Sequence, residues 1–191
     1  MLIGSVISGE TPMRLTRLLP LALALAPIAA GSARAREYPI GKPVKDSGLE
    51  ISTVYLQPIE MDPPGMMRAA AESDVHLEAD IKAIAGNKNG FADGEWVPAL
   101  DVHYELVKLD SGEKVAGEFM PMVANDGPHY GDNAKLFGPG KYRLTLEIAP
   151  PGPAQHFGRH VDKETGVGPW FRPFEVKQDF TYAGTGKKGG Y

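Results

Sequence analysis

The chain of 191 residues carries 20 Lys and Arg residues against 24 Asp and Glu residues, a formal net charge of −4. An acidic balance of this kind lacks the basic surface by which proteins bind nucleic acid. The chain contains no cysteine, so disulfides are excluded, and any soft sulfur ligand to a metal must come from methionine.

The first 35 residues have the three parts of a secretory signal peptide. A basic stretch at residues 13–17 precedes an uncharged run of Leu, Ala, Pro and Ile at residues 18–30, and Ala33 and Ala35 are the small residues that a signal peptidase recognises. The apolar run is shorter than the roughly 20 residues needed to span a bilayer. These features predict export to the periplasm, with cleavage after Ala35.

The mature protein is therefore expected to comprise residues 36–191, a single domain with loosely ordered ends. Glu10 lies ahead of the basic stretch, which favours Met13 as the true start of translation. Beyond the signal peptide no apolar segment is long enough to cross a membrane, so the mature protein is not expected to span one.

Apolar and polar residues alternate with a period of two along the mature chain, in segments bounded by Gly- and Pro-rich turns. Many short strands without a convincing amphipathic helix are typical of an all-β protein, a sandwich of two antiparallel sheets. The pattern predicts six strands: Ile51–Pro58, Val75–Ile84, Trp96–Leu109, Gly117–Ala124, Lys141–Ile148 and Phe171–Tyr182.

The predicted strand Val75–Ile84 has two clearly different faces. One face carries the side chains of His76, Glu78, Asp80 and Lys82. The other face is apolar and is expected to lie in the core; it comprises Val75, Leu77, Ala79, Ile81 and Ala83.

The next predicted strand, Trp96–Leu109, repeats this alternation with Asp101, His103 and Glu105 on its polar face. If the two strands pair through the Asn-Gly loop between them, one sheet presents a face rich in carboxylates and imidazoles. For five of these residues an ordinary solvated face is the favoured interpretation, because charged side chains are mostly exposed in folded proteins. They are Asp80, Lys82, Asp101, His103 and Glu105.

Three segments carry residue types that bind transition metals. His76 and Glu78 lie two residues apart on one strand face, so both can reach a single ion. Met122 lies on the strand face opposite Phe119, which leaves its thioether free to turn outward beside His129.

The third segment, residues 158–166, is a polar loop with His160 at its centre. Imidazole and thioether together favour copper among the first-row metals, and a nearby carboxylate widens the choice toward Fe(II) or Mn(II). The spacing of these segments does not decide whether they share one ion, because histidines distant in sequence need not meet in space.

In combination, the segments resemble the periplasmic iron-transport family, also called the pathogen-specific membrane antigen family. The resemblance runs from about Ile51 to Tyr182. Its motifs are Asp74–Ile81, Gly90-Phe91 with Trp96-Val97-Pro98, Phe119–Ala124, Gly127–Asn133, and Arg159-His160 with Trp170-Phe171.

The resemblance implies an immunoglobulin-like antiparallel β-sandwich that forms homodimers and binds copper and iron near the dimer interface. It implies a role beside an inner-membrane iron permease in high-affinity iron uptake. Manganese would serve as a mimic of the iron.

Residue by residue, the resemblance makes four side chains the copper ligands and Glu78 a candidate iron ligand. Met61 is a further candidate contributor, and the lysine at position 82 replaces a histidine that is frequent in the family. The four copper ligands are His76, Met122, His129 and His160.

Three other readings compete with an iron-uptake accessory protein: a periplasmic copper-binding or copper-tolerance protein, a metal-dependent oxidase or hydrolase, and a purely structural or adhesive domain. The chain has neither a Gly-x-Ser-x-Gly element nor a phosphate-binding glycine loop. Four protein ligands would also fill the open position that a metal hydrolase needs. We therefore expect a binding protein and not an enzyme.

Overall fold

The computed structural model describes residues 36–184 together with Met1 and Gly4. The predicted signal peptide and its cleavage site, and the C-terminal residues 185–191, lie outside the described residues. Two short 3₁₀ turns occur among the described residues, at Ala70–Glu72 and Pro153–Gln155.

The described residues form nine strands. They are β1 (Tyr38–Pro39), β2 (Val44–Asp46), β3 (Leu49–Leu56), β4 (Val75–Ala83), β5 (Asp101–Lys108), β6 (Lys114–Ala124), β7 (Gly127–Ala134), β8 (Gly140–Ala149) and β9 (Phe174–Tyr182).

Every pair of neighbouring strands is antiparallel, in the order β1-β3-β4-β7-β6-β5-β8-β9, with β2 also pairing with β3. Strand β6 joins two sheets, because residues 114–119 pair with β5 and residues 120–124 pair with β7. The first sheet therefore contains β1 to β4, β7 and the end of β6; the second contains the start of β6, β5, β8 and β9. The all-β antiparallel prediction is confirmed.

The core is built from the inward side chains of both sheets. The predicted apolar face of β4 is confirmed, because its five residues are at most 1% exposed. Contacts cross between the sheets: the Thr53 hydroxyl donates to Gln178 Oε1, and the rings of Tyr55 and Phe180 lie 5.4 Å apart. The sheets thus enclose one apolar core, as the alternation in the sequence requires.

The pairing of β4 with β5 that the sequence analysis considered does not occur, and that interpretation is wrong. Strand β4 pairs with β3 and β7, and β5 pairs with β6 and β8. Only an isolated bridge between Lys82 and Trp96 connects β4 to the segment that precedes β5. Residues 84–100 form a connection long enough to carry the chain from one sheet to the other.

Strand β7 is not among the six strands predicted from the sequence. Glycine and proline are both depleted in strands, so a segment that contains Gly127, Pro128 and Gly131 has a weak strand signal. The short strands β1 and β2 were also missed. Only the strand pairing reveals β7, which lies between β4 and β6 at the centre of the first sheet.

Candidate metal centre

The register of β4, β7 and β6 brings distant residues onto one face of the first sheet. Met122 on β6 lies opposite His129 on β7, and His76 on β4 lies opposite Asn133 on β7. Glu78 lies opposite Gly131. Residues opposite each other in an antiparallel pair point to the same side. This face therefore collects the two imidazoles, the carboxylate and the thioether.

Three of these side chains lie within reach of a single ion. Ligand atoms of His76, Glu78 and His129 all lie within 4.8 Å of one another, and His129 Nδ1 is 3.6 Å from Glu78 Oε1. The two histidines are almost fully buried, and so is Met122. Across residues 36–184, this is the one group of three or more His, Asp and Glu residues with such spacing.

An unpaired nitrogen indicates where an ion would bind. His76 Nδ1 lies 3.1 Å from Asn133 Oδ1, whereas His76 Nε2 is buried without a hydrogen-bond partner. A buried polar atom without a partner is costly, and buried polar groups in native proteins are almost always satisfied. A transition-metal ion would accept the lone pair of this nitrogen, so the site fits such an ion.

Gly131 provides the space for this imidazole. A Cβ atom at position 131 would lie only 2.6 Å from His76 Nε2 and 2.8 Å from the Leu77 carbonyl oxygen. The ring of His76 therefore occupies the space that a side chain at position 131 would fill. Sequence reasoning missed this role, because a single sequence does not indicate what approaches a strand glycine.

Burial keeps both imidazoles in the form that binds metals. Burial lowers the pKa of His76 to about 4, and the neighbouring His129 contributes to the lowering. Burial also lowers the pKa of His129. Both rings are therefore neutral at pH 7, and neutral imidazole is the form that ligates a metal.

Glu78 shows the opposite shift. Burial, together with the negative charges of Glu37, Asp80 and Asp126, raises its pKa to about 7. Carboxylates repel one another most when they are partly removed from water. A cation placed among them would relieve this repulsion.

The same four carboxylates line an open cavity of 190 Å³, together with Gly127 and His129. Of these four carboxylates, only Glu78 was predicted from the sequence to be a metal ligand. Asp80 was assigned to a solvated face, and Glu37 lies in a segment that was expected to be loosely ordered. No local pattern connects Glu37 to Asp126; the fold brings them together.

His160 does not join the cluster within its own chain. Its side chain is 74% exposed, and its Nδ1 lies 2.7 Å from Thr165 Oγ1. The Thr165 hydroxyl donates its one proton to Asp162, 2.9 Å away, so it must accept from His160 Nδ1–H. In the neutral ring, the lone pair of His160 therefore lies on Nε2.

Two further residues named in the sequence analysis, Lys82 and Met61, have other surroundings. Lys82 is bound to Asp80 at 3.1 Å, as an ion pair. Met61 lines a separate 320 Å³ cavity in the segment between β3 and β4. Its role as a contributor stays a prediction, as does the ligand role of His160.

An antiparallel β-sandwich with a buried face of imidazole, carboxylate and thioether ligands defines a class of transition-metal-binding proteins. The particular family follows from comparison: the chain belongs to the family described as Fe2+ transport protein, whose profile matches residues 34–184. The resemblance seen in the sequence is thereby confirmed.

Similar proteins come from several bacteria. A UPF0423 protein of Brucella abortus is 65% identical over 176 residues, which cover 91% of this chain and 94% of that protein. The 34 kDa membrane antigen of Treponema pallidum is 41% identical over 165 residues, covering 83% of this chain and 80% of the antigen.

Two solved structures share the fold. A copper-bound variant of FetP from uropathogenic Escherichia coli strain F11 is 55% identical, with a TM-score of 0.75, and the match covers 78% of this chain and 99% of FetP. Copper-reconstituted P19 from Campylobacter jejuni is 53% identical, with a TM-score of 0.76, and the match covers 80% of this chain and 99% of P19.

Proposed function

We propose that this protein is a periplasmic copper- and iron-binding accessory protein of a high-affinity iron-uptake system, and that it binds metals without turning over a substrate. The observation that carries the proposal is the buried face where His76, Glu78 and His129 converge. Membership of the Fe2+ transport protein family supports the link to iron.

Copper is the metal that we assign to the buried ligands. His76 and His129 supply imidazole nitrogen, and Met122 supplies the thioether that suits Cu(I). Met122 is 8% exposed and lies opposite His129 in the strand register. The copper-bound structures of FetP and P19 support this assignment.

We assign His160 to the copper site of a second copy in a homodimer. Its imidazole is exposed, and its Nε2 is free of the proton that Nδ1 donates to Thr165. Val161 beside it is 73% exposed, and Val123 beside Met122 is 77% exposed. Burial of these apolar side chains would help to stabilise such a dimer.

The cavity lined by Glu37, Glu78, Asp80 and Asp126 is the site that we assign to iron in transit. Carboxylate oxygens suit Fe(II) and its mimic Mn(II) better than they suit Cu(I). An open site with oxygen ligands would release its ion more easily than the buried histidines would. Exchange of this kind is what delivery to an inner-membrane permease requires.

The crystal structure of FetP, which was recombinantly expressed in the periplasm of Escherichia coli, supports the periplasmic assignment. Among residues 36–184, no helix is long and apolar enough to span a membrane.

Metal titration of the metal-free mature protein tests the proposal. The wild type is expected to bind copper tightly and Mn(II) more weakly, and His129→Ala is expected to lose the tight copper site. His103→Ala is the matched control, because His103 is exposed and paired with Asp101 at 3.0 Å. Absence of specific copper binding by the wild type would contradict the proposal.

Growth of a deletion strain separates iron uptake from copper tolerance. Loss of this protein is expected to impair growth under iron chelation and to leave growth under copper excess unchanged. The opposite phenotype would favour a copper-tolerance protein.

A further inference from the structure

We propose that Asn133 is a positioning residue of the metal centre. Its side chain holds His76 as the tautomer protonated at Nδ1, so that Nε2 presents its lone pair to the ion. This inference rests on the proposed function in taking His76 as a ligand. It adds a residue that does not itself contact the metal.

The orientation of the Asn133 amide is fixed by its other contacts. Asn133 Nδ2 donates to two backbone carbonyl oxygens, of Ile59 at 2.8 Å and of Arg68 at 2.9 Å. The Ile59 backbone N–H donates to Asn133 Oδ1 at 3.2 Å. A flipped amide would oppose oxygen to both carbonyls and N–H to the Ile59 N–H, and every one of these contacts would be lost.

The tautomer of His76 follows from this orientation. Asn133 Oδ1 can only accept a hydrogen bond, and it lies 3.1 Å from His76 Nδ1. Nδ1 therefore carries the proton, and in the neutral ring Nε2 carries the lone pair. The reverse tautomer would oppose two lone pairs at 3.1 Å and would direct an N–H toward the metal centre.

Packing makes this contact hard to replace. Asn133 is 2% exposed and His76 is 1% exposed, so bulk water does not reach the bond between them. Gly131 leaves the imidazole in close contact with β7, where Asn133 lies opposite His76. Partners of this kind orient the ligands of many metal sites.

Asn133 has two separable contacts. Its oxygen binds His76, and its nitrogen anchors the segment from Ile59 to Arg68 against β7. A variant that keeps only the acceptor distinguishes control of the tautomer from simple anchoring of the loop. Asn133→Asp is this variant, because a carboxylate accepts but does not donate.

The first measurement is imidazole ¹⁵N NMR of the metal-free protein, which reports which ring nitrogen carries the proton. The wild type is expected to show His76 protonated at Nδ1 alone. Asn133→Ala is expected to introduce the Nε2-protonated form, and Asn133→Asp is expected to retain the proton on Nδ1. A wild-type His76 protonated at Nε2 would overturn the proposal, whatever the variants do.

Copper competition titration of the same proteins is the second measurement. Asn133→Ala is expected to weaken copper binding by about 10- to 100-fold, which is typical for loss of a partner that orients a ligand. Asn133→Asp is expected to restore most of the affinity. Equal losses in both variants, with His76 still protonated at Nδ1, would make Asn133 a loop anchor and would overturn the proposal.

Asn89→Ala is the matched control. Asn89 Nδ2 also donates to two carbonyl oxygens of a distant loop, Gly168 at 3.2 Å and Pro169 at 3.0 Å, and neither bond involves His76. Its loss is expected to leave the His76 signals unchanged. Because the NMR measurement uses metal-free protein, it decides the tautomer even if the wild type fails to bind copper.

Discussion

Strands β4 and β5 carry similar polar faces, but His76 on β4 is buried and His103 on β5 is exposed. On β4, His76 is followed two residues later by Glu78; on β5, His103 is followed two residues later by Glu105. His76 is 1% exposed and has an unpaired ring nitrogen, whereas the side chain of His103 is 53% exposed and pairs with Asp101. The H-x-E pattern therefore does not make a metal site by itself.

What separates the two strands is what covers them. The segment between β3 and β4 lies over the polar face of β4, and Asn133 holds it there through Ile59 and Arg68. The polar face of β5 is more open, because the side chain of His103 is 53% exposed and Glu105 forms an exposed ion pair with Lys114. Burial converts an ordinary pair of polar residues into a preorganised ligand set, because it removes the water that would otherwise satisfy them.

The largest expected effect, on copper affinity, comes from filling the space that Gly131 on β7 leaves for the His76 ring of β4. Gly131→Ala would place a Cβ atom 2.6 Å from His76 Nε2 and displace the imidazole. We expect copper affinity to fall by about 100-fold and the free energy of unfolding to fall by about 1–3 kcal/mol. Isothermal titration and urea denaturation measure the two effects.

Gly158→Ala is the control for this substitution, because nothing lies within 4 Å of a Cβ atom at position 158. It is expected to leave both quantities near their wild-type values. Unchanged copper affinity in Gly131→Ala would show that His76 is not a ligand.

The next effect tests which metal the buried face selects. Met122→Ala is expected to weaken Cu(I) binding by about 10-fold or more and Zn(II) binding much less, since only the soft ion depends on a thioether. Competition titrations with the two ions measure the difference. Met66→Ala is the control, because Met66 is an exposed methionine; equal losses of both ions in Met122→Ala would refute the assignment of a soft ligand.

The third effect is a pH dependence of stability that arises from Glu78 on β4. The pKa of Glu78 is raised to about 7 from its usual value of 4.5. The folded metal-free protein therefore binds this proton more tightly than the unfolded chain, and the stability that it contributes is lost as the pH rises from 4.5 to 7.

Glu78→Gln removes this titration. In the metal-free protein it is expected to raise the free energy of unfolding by about 1–3 kcal/mol at pH 8 and to have little effect at pH 4.5. Denaturation at the two pH values measures the change. Glu105→Gln on β5 is the control; a benefit from Glu78→Gln that is equal at both pH values would contradict the proposed cause.

The smallest expected effect concerns the exposed His160. Thr165→Val removes the hydroxyl that accepts from His160 Nδ1 and is expected to weaken copper binding by up to about 10-fold, at the low end for a partner that orients a ligand. Thr165→Ser keeps the hydroxyl and is expected to retain the affinity. Identical affinities for the wild type and both variants would mean that Thr165 does not orient a ligand.

Much of the fold was predictable from alternation alone. All six predicted strands overlap observed ones, since a half-buried strand must alternate apolar and polar residues to place one face in the core. Strand β7 was missed because Gly127, Pro128 and Gly131 oppose the strand signal, although the first sheet requires a strand there. The expected pairing of β4 with β5 was also wrong, because the sequence between the two strands does not indicate that they belong to different sheets.

From the sequence alone the protein is recognisable as an acidic, cysteine-free β protein whose imidazole, thioether and carboxylate groups favour particular metals. The sequence also carried the family resemblance. The folded chain is needed to see that His76, Glu78 and His129 meet whereas His103 and His160 lie outside this group. Strand register and burial depend on contacts between residues far apart in the chain. For the same physical reason, the partnership of His76 with Asn133 and Gly131 is visible only in the folded protein.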